Sequence, residues 1–168
     1  MYFDSSMNDK IPIFPLPLVL LPGEKLPLHI FEEKYKKLVE HCLKNNKKFG
    51  IINSKNNDSL IIGCTASIDQ VVGGENESRE YDILVSGTER FIVKSYNTSE
   101  DYKQAYVKTW NDIDDTIDET LLQEANVFLY EVLLKLGASS KIPQINMPKS
   151  SFEIASMLDI DKRAKKIL

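Results

Sequence analysis

The stretch IPIFPLPLVLLPGEKLPLHIF, residues 11–31, holds five of the seven prolines of a 168-residue chain, with Ile, Phe, Leu and Val filling most of the gaps. Proline has no N–H to give to a central ladder. Such a run suits short edge strands and extended backbone that pack apolar side chains without continuous pairing. Pro22-Gly23 marks a tight turn inside it, with the glycine supplying a positive φ. A PxxP ligand for a recognition domain takes the same extended form, but the apolar residues alternate too densely here for a solvated peptide. The run therefore predicts the opening of a β-rich domain, entered after a flexible polar arm over residues 1–10.

Beyond Ile30 the period changes. Phe31, Tyr35, Leu38 and Cys42 fall on one face of a helix that starts at Glu32 and Glu33, with Lys44, Lys47 and Lys48 near its end as the helix dipole favours. FGIIN (49–53) reads as a buried strand and SKNNDS (54–59) as a hairpin loop. LIIGCTASIDQVV (60–72) is β-rich and long enough to bend around a barrel, with Gly63 at the bend. A second hairpin loop, Gly73 and Gly74 with ENESRE, leads to the strand YDILVSG (81–87). RFIVKSY and YKQAYVKTW, joined by NTSED, supply two more strands. Residues 11–111 thus read as a β-rich domain with one inserted helix.

The acidic run NDIDDTIDE marks a composition shift, and residues 112–168 read as a helical subdomain. Thr116 with Glu119 forms a capping-box pattern, and Ile117, Leu121, Ala125, Phe128, Val132 and Leu136 recur at helical spacing up to Gly137. Pro143 and Pro148 stiffen the next connection, and Ser150 with Glu153 opens a short helix carrying Ile154 and Leu158. Asp159 or Asp161 starts one more helix, which the end at Leu168 leaves truncated. The expected class is α+β.

Composition narrows the function. Twenty-one basic against 25 acidic residues give a net charge of −4, without the cationic excess of a protein that binds nucleic-acid backbones. No apolar run approaches a membrane span, and MYFDSSMNDK lacks the basic and apolar blocks of a secretory signal, so a cytoplasmic protein is expected. Cys42 and Cys64 make neither a disulfide framework nor a CxxC pair and read as reduced, half-buried thiols. His29, His41, Cys42 and Cys64 show no metal-ligand spacing. Nothing beyond residue type supports a Cys–His nucleophile pair built on His29. There is no GxSxG elbow and no phosphate loop, and GGENES sits in a polar hairpin. Asp112, Asp114, Asp115, Asp118 and Glu119 form a solvated helix entrance without calcium-loop register. Catalytic, cofactor and metal residues are therefore expected to be absent. Among the aromatics Tyr81, Tyr96, Tyr102, Tyr106 and Trp110, the candidates for lining a recognition surface are Tyr81, Tyr106 and Trp110, with cross-strand packing as the alternative role.

IPIFPLPLVLLPGEKLPLHIFEEKYKKLVEHCL resembles the opening of the Lon substrate-binding domain. The likeness continues through FGII, IGCTASIDQVV, YDILVSGTERFIVKSY, AYVKTW and SSFEIASMLDID. PLHIFEEKY (27–35) and GTERF (87–91) are its most characteristic pieces. The resemblance implies a PUA-like β pseudo-barrel followed by a helical bundle. It also implies a part that helps select and engage substrates, ATP hydrolysis and the Ser-Lys peptidase residing in other domains. Pro27, Leu28, Phe31, Glu32, Tyr35, Gly87, Arg90 and Phe91 match the family pattern, which implies a role in fixing the barrel and its helix. The expected function is non-catalytic binding of exposed apolar segments of unfolded or partly folded polypeptides, with a protease or chaperone as a further partner. The alternatives are an adaptor for one folded protein and an RNA-binding PUA-like module.

Overall fold

In the computed structural model, which describes residues 9–55, 59–73, 80–97, 101–110, 118–137 and 147–158, the chain divides into two compact units, Met1–Asn111 and Asp112–Leu168. The first contains β1 (Asp9–Leu16), β2 (Lys25–Ile30), α1 (Glu33–Asn45), β3 (Phe49–Asn53), β4 (Ile62–Gly73), β5 (Tyr81–Asn97) and β6 (Gln104–Thr109). The strand order is β2-β5-β4-β3-β1-β6, and β6 pairs back onto β5. Five strands therefore close into a ring, with β2 as an outer edge on the first half of β5. β1 and β3 pair in parallel, as the intervening β2 and α1 allow. With segregated helices, the class is α+β.

The proline run resolves differently from a simple edge. β1 begins at Asp9, inside the arm expected over residues 1–10, and lies between β3 and β6. Its first half, Asp9–Pro12, pairs with β6, and its second half, Ile13–Leu16, pairs with β3. Each half is laddered on one side, so Pro12 and Pro15 interrupt no two-sided ladder. Pro27 is exposed in the edge strand β2, where proline discourages pairing with a further chain. Gly23 turns the chain at φ 80°.

Two expected boundaries vanish in β5. YDILVSG and RFIVKSY form one strand of 17 residues. Gly87, expected to end the first piece, lies against the β1–β2 turn. Its N–H donates to the Glu24 carbonyl and its own carbonyl accepts from the Gly23 N–H, both at 2.9 Å. A Cβ at Gly87 would stand 2.1 Å from the Leu21 carbonyl oxygen, so glycine permits close approach here. Just beyond, Ala66 pairs with Gly87 but Cys64 pairs with Arg90. β5 thus carries one extra residue at Thr88–Glu89, tied across the slip by Thr65 Oγ1, which lies 2.7 Å from Thr88 Oγ1 and accepts from the Glu89 N–H at 3.1 Å. One extra residue inverts which face a given parity occupies.

That inversion lets one strand serve two cores. Ile83 and Val85 enter the cluster beneath α1 with Phe14, Leu38, Val39 and Phe49. Phe91 and Val93 enter a second cluster with Ile13, Ile52, Ala105 and Val107, drawn from the strands of the ring. Phe91 is 1% exposed, and Cβ atoms at Gly50 and Gly63 would come within 2.6 and 2.4 Å of its Cζ. Gly63 makes room for this ring. The irregularities of β4 against β5 lie instead between Cys64 and Ala66 and between Ile68 and Gln70.

The helix α1 buries Lys36, Leu38, Val39 and Cys42, and Tyr35 packs on Phe14 at 4.1 Å between ring centroids. Phe31, expected on the same face, is 59% exposed. The N-cap Glu32 is extended, so Phe31 belongs to the link after β2 and escapes the helical period.

The second unit contains α2 (Glu119–Lys135) and α3 (Ser151–Met157). Asp118 caps α2, accepting from the N–H groups of Thr120 and Leu121 at 3.0 and 3.1 Å. Thr116 and Ile117 lie outside the described residues, as do Pro143, Asp159 and Asp161. Gly137 follows α2 at φ 75°, as a terminating glycine should. Of the residues recurring at helical spacing, Leu121, Phe128, Val132 and Leu136 are exposed, whereas Asn126 and Leu129 are buried. α2 is apolar on more than one face, so periodicity cannot choose the covered one. Asn126 Nδ2 donates to the Pro148 carbonyl at 3.0 Å, ahead of α3. At α3, Ser150 Oγ accepts from the Glu153 N–H at 3.2 Å, and the Glu153 carboxylate accepts from the Lys149 N–H at 2.7 Å. This is a capping box whose return bond is shifted by one residue.

Candidate functional site

The site grows from the register of β2, β5 and β4. Pro27 pairs with Leu84 and His29 with Asp82; Leu84 pairs in turn with Gln70, and Asp82 with Val72. Two cross-strand rows result, Pro27–Leu84–Gln70 and His29–Asp82–Val72, alternating along β5 with the residues that face α1. They line an open groove of about 470 Å³ that also touches Leu28 and Ile83. Val72 is 67% exposed, and the exposed Phe31 lies near the end of the second row, its ring stacked 6.0 Å from that of His29.

The polar wall beside this apolar stripe is acidic. His29 Nδ1 lies 2.8 Å from Asp82 Oδ1, and its Nε2 lies 3.7 Å from Glu80 Oε2. The next row, Lys25–Ser86–Ser67, is polar, and the Ser86 hydroxyl donates to Asp69. Strand addition along β2 is opposed by Pro27.

The three aromatic candidates are not brought together. Tyr81 is half-buried against the α1-side cluster, and its hydroxyl donates to Glu40 Oε1 at 3.1 Å, so it turns away from the groove. Tyr106 is exposed on β6, paired with Ser95 at the far end of β5. Trp110 follows β6, its N–H donating to the Arg90 carbonyl at 2.8 Å. Tyr81 and Ser95 are separated by about 45 Å of strand contour at roughly 3.3 Å per residue. Tyr102 is buried, and Tyr96 lies under the Lys103 ammonium. Of the family-pattern residues, Pro27, Leu28 and Phe31 lie in or beside the groove. Glu32 pairs with Lys34 at 2.9 Å, and Tyr35, Gly87 and Phe91 lie in the packing described above. Arg90 is half-buried, and that burial lowers its guanidinium from the usual value. Val72 and Leu84 escaped the sequence reading, because β4's extra residue at Asp69 decides which of its side chains share a row with β5.

Cys42 and Cys64 are each 1% exposed, deeper than the half-buried thiols expected. Burial pushes Cys42 up to about 11 and Cys64 up to about 12, opposite to what a nucleophile needs. His29, on the outer face with Asp82, is no partner for either. At pH 8 a chromogenic disulfide reagent is expected to count no fast thiol in the folded protein and two in denaturant. One fast native thiol would contradict the burial. Among the described residues, no group of three or more His, Cys, Asp or Glu side chains could hold a metal ion, and no helix is long and apolar enough to cross a membrane.

Residues 10–168 match the family described as the ATP-dependent protease La (LON) substrate-binding domain. The Lon protease of Buchnera aphidicola subsp. Baizongia pistaciae (strain Bp) is 31% identical over 108 residues, covering 59% of this chain and 14% of that protein. The chain thus spans about one seventh of the length of that curated relative. Among solved structures, the Lon N-terminal domain protein from Xanthomonas campestris aligns with a TM-score of 0.60 at 23% identity, covering 75% of this chain and 74% of its own. The N terminal domain of Mycobacterium avium complex Lon protease aligns with a TM-score of 0.72 at 16% identity, covering 94% and 87%. The fold is that of Lon N-terminal domains, and the chain belongs to the Lon substrate-binding domain family.

Proposed function

We propose that this chain is a non-catalytic polypeptide-binding module that holds exposed apolar segments of unfolded or partly folded proteins in the β2–β5–β4 groove. The observation that carries the reading is the surface formed by the exposed Pro27 and Val72 with the partly exposed Leu84 on a proline-blocked sheet edge. A shallow apolar surface of this kind suits many clients at modest affinity. The family described as substrate-binding adds support, and the buried, protonated thiols favour binding over chemistry. The role places the protein beside a protease or chaperone in the cytoplasm.

The test is an NMR titration of the 15N-labelled protein with a reduced, carboxymethylated polypeptide that cannot fold. Amides of Pro27's neighbours, Gln70–Val72 and Asp82–Leu84 are expected to shift. Val72→Asp is expected to weaken binding about tenfold, since one buried Val contributes roughly 1.5 kcal/mol or more. The fold should be unchanged, because Val72 is two-thirds exposed. Shifts elsewhere, or wild-type affinity in the variant, would remove the groove from the function.

A further inference from the structure

One cleft of the first unit concentrates the charge that the chain as a whole lacks. It opens to about 360 Å³ between the start of β1, the α1–β3 link and the adjoining parts of β4, β5 and β6. Ile11, partly exposed, gives its floor an apolar surface over the buried Pro12, Phe91 and Val107. Four cations, Lys10, Lys47, Lys48 and Arg90, line it against two carboxylates, Asp9 and Glu89, in a chain whose net charge is −4. Lys48 lies 3.9 Å from Glu89. Lys10 and Lys47 have no ion-pair partner among the described residues.

The backbone fixes where these two exposed side chains start. Lys10 is held in β1 opposite Tyr106 of β6. Lys47 follows the left-handed residue Asn46, and its N–H donates to the Cys42 carbonyl at 2.9 Å. Two ammonium groups without an ion-pair partner among the described residues, beside an apolar floor, suit a ligand with an anionic head joined directly to an apolar body.

We propose that this cleft receives the C-terminal end of a polypeptide, with the α-carboxylate between Lys10 and Lys47 and an apolar terminal side chain over the floor. The inference rests on the polypeptide-binding reading and extends it to a substrate class, chains that end in a free carboxylate on an apolar residue. Asp9 and Glu89 select in the same direction. They oppose a phosphate dianion more than a carboxylate, and they can accept from the terminal peptide N–H, which a phosphate lacks.

The probe is a fluorescein-labelled peptide, Gly-Ser-Gly-Ser-Ala-Leu, prepared as the free acid and as the C-terminal amide and titrated by anisotropy at low and moderate salt. The acid is expected to bind at least about tenfold tighter than the amide, with the difference shrinking as salt rises. Lys10→Ala with Lys47→Ala should abolish that preference, and Lys10→Arg with Lys47→Arg should restore it. Circular dichroism checks that both double variants are folded. Equal binding of acid and amide, an undiminished preference in the alanine variant, or equal displacement by inorganic phosphate would overturn the proposal. The Val72→Asp variant separates the two ideas. Capture of unfolded chains that depends on Val72, without acid preference, removes the cleft alone; acid preference without that capture removes the groove.

Discussion

Gly87→Ala is expected to destabilise the first unit by about 3–5 kcal/mol, adding a steric overlap of roughly 1–3 kcal/mol to two hydrogen bonds worth about 1 kcal/mol each. The new methyl would lie 2.1 Å from the Leu21 carbonyl oxygen and 3.2 Å from Cys64 Sγ. Backbone cannot swing aside as a side chain can. The β1–β2 turn must lift off β5, breaking its bonds with Gly23 and Glu24 and uncovering Leu20 and Leu21, which are 5% and 2% exposed. Urea denaturation should show a lower midpoint at unchanged slope. The comparator is Ser86→Ala next door, which loses one hydroxyl bond to Asp69 and should cost about 1 kcal/mol. Equal midpoints for the two variants would show that the turn does not press on Gly87.

The second large effect is at Phe91. Truncation to Ala is expected to cost about 3–5 kcal/mol, because the ring is fully enclosed and the strands around it cannot collapse into the space. The contacts make a sharper prediction through double substitutions. A Cβ at Gly50 would meet the Phe91 ring at 2.6 Å and the Cδ1 atoms of Ile11 and Ile13 at 2.9 Å, all of them side-chain atoms. Gly50→Ala should therefore cost about 1–3 kcal/mol beside Phe91 and distinctly less beside Phe91→Leu. Gly63→Ala should gain no such relief, since the Ile51 carbonyl oxygen stays 2.6 Å from its Cβ. Equilibrium unfolding of the two double-mutant cycles checks this; additive costs at Gly50 would show that ring and glycine do not compete for space.

The parts legible in the sequence were those set by local chemistry. The turn at Pro22-Gly23, the period of Tyr35, Leu38 and Cys42, the strand FGIIN and the stop at Gly137 each depend on a few neighbouring residues. What escaped depends on an offset. The odd-numbered residues Ile83, Val85, Phe91 and Val93 keep one parity throughout, so nothing in their spacing announces that an extra residue at Thr88–Glu89 turns the last two to a different core. Gly63 and Gly87 looked like bend and end because their reasons, a ring from β5 and a carbonyl from the β1–β2 turn, come from distant parts of the chain. The groove was illegible for the same cause. Its rows join Pro27, Leu84 and Gln70 only once two pairings and a slip at Asp69 are known. On α2, Leu121 and Phe128 fit a stripe as well as Asn126 and Leu129 do, so spacing alone does not choose the covered face.

The slip at Thr88–Glu89 bears on how the first unit comes apart. A strand that lends side chains to two clusters joins them mechanically, so neither can melt while the other keeps its full complement. β5 is also paired with β2, β4 and β6. β4 and β6 are its neighbours in sequence, so the pairing with β2 is the one that closes a long loop of chain. The unit then behaves as one cooperative block. Under the proposed function, a client on the outer face of β2, β5 and β4 would rest on a platform tied into the whole barrel.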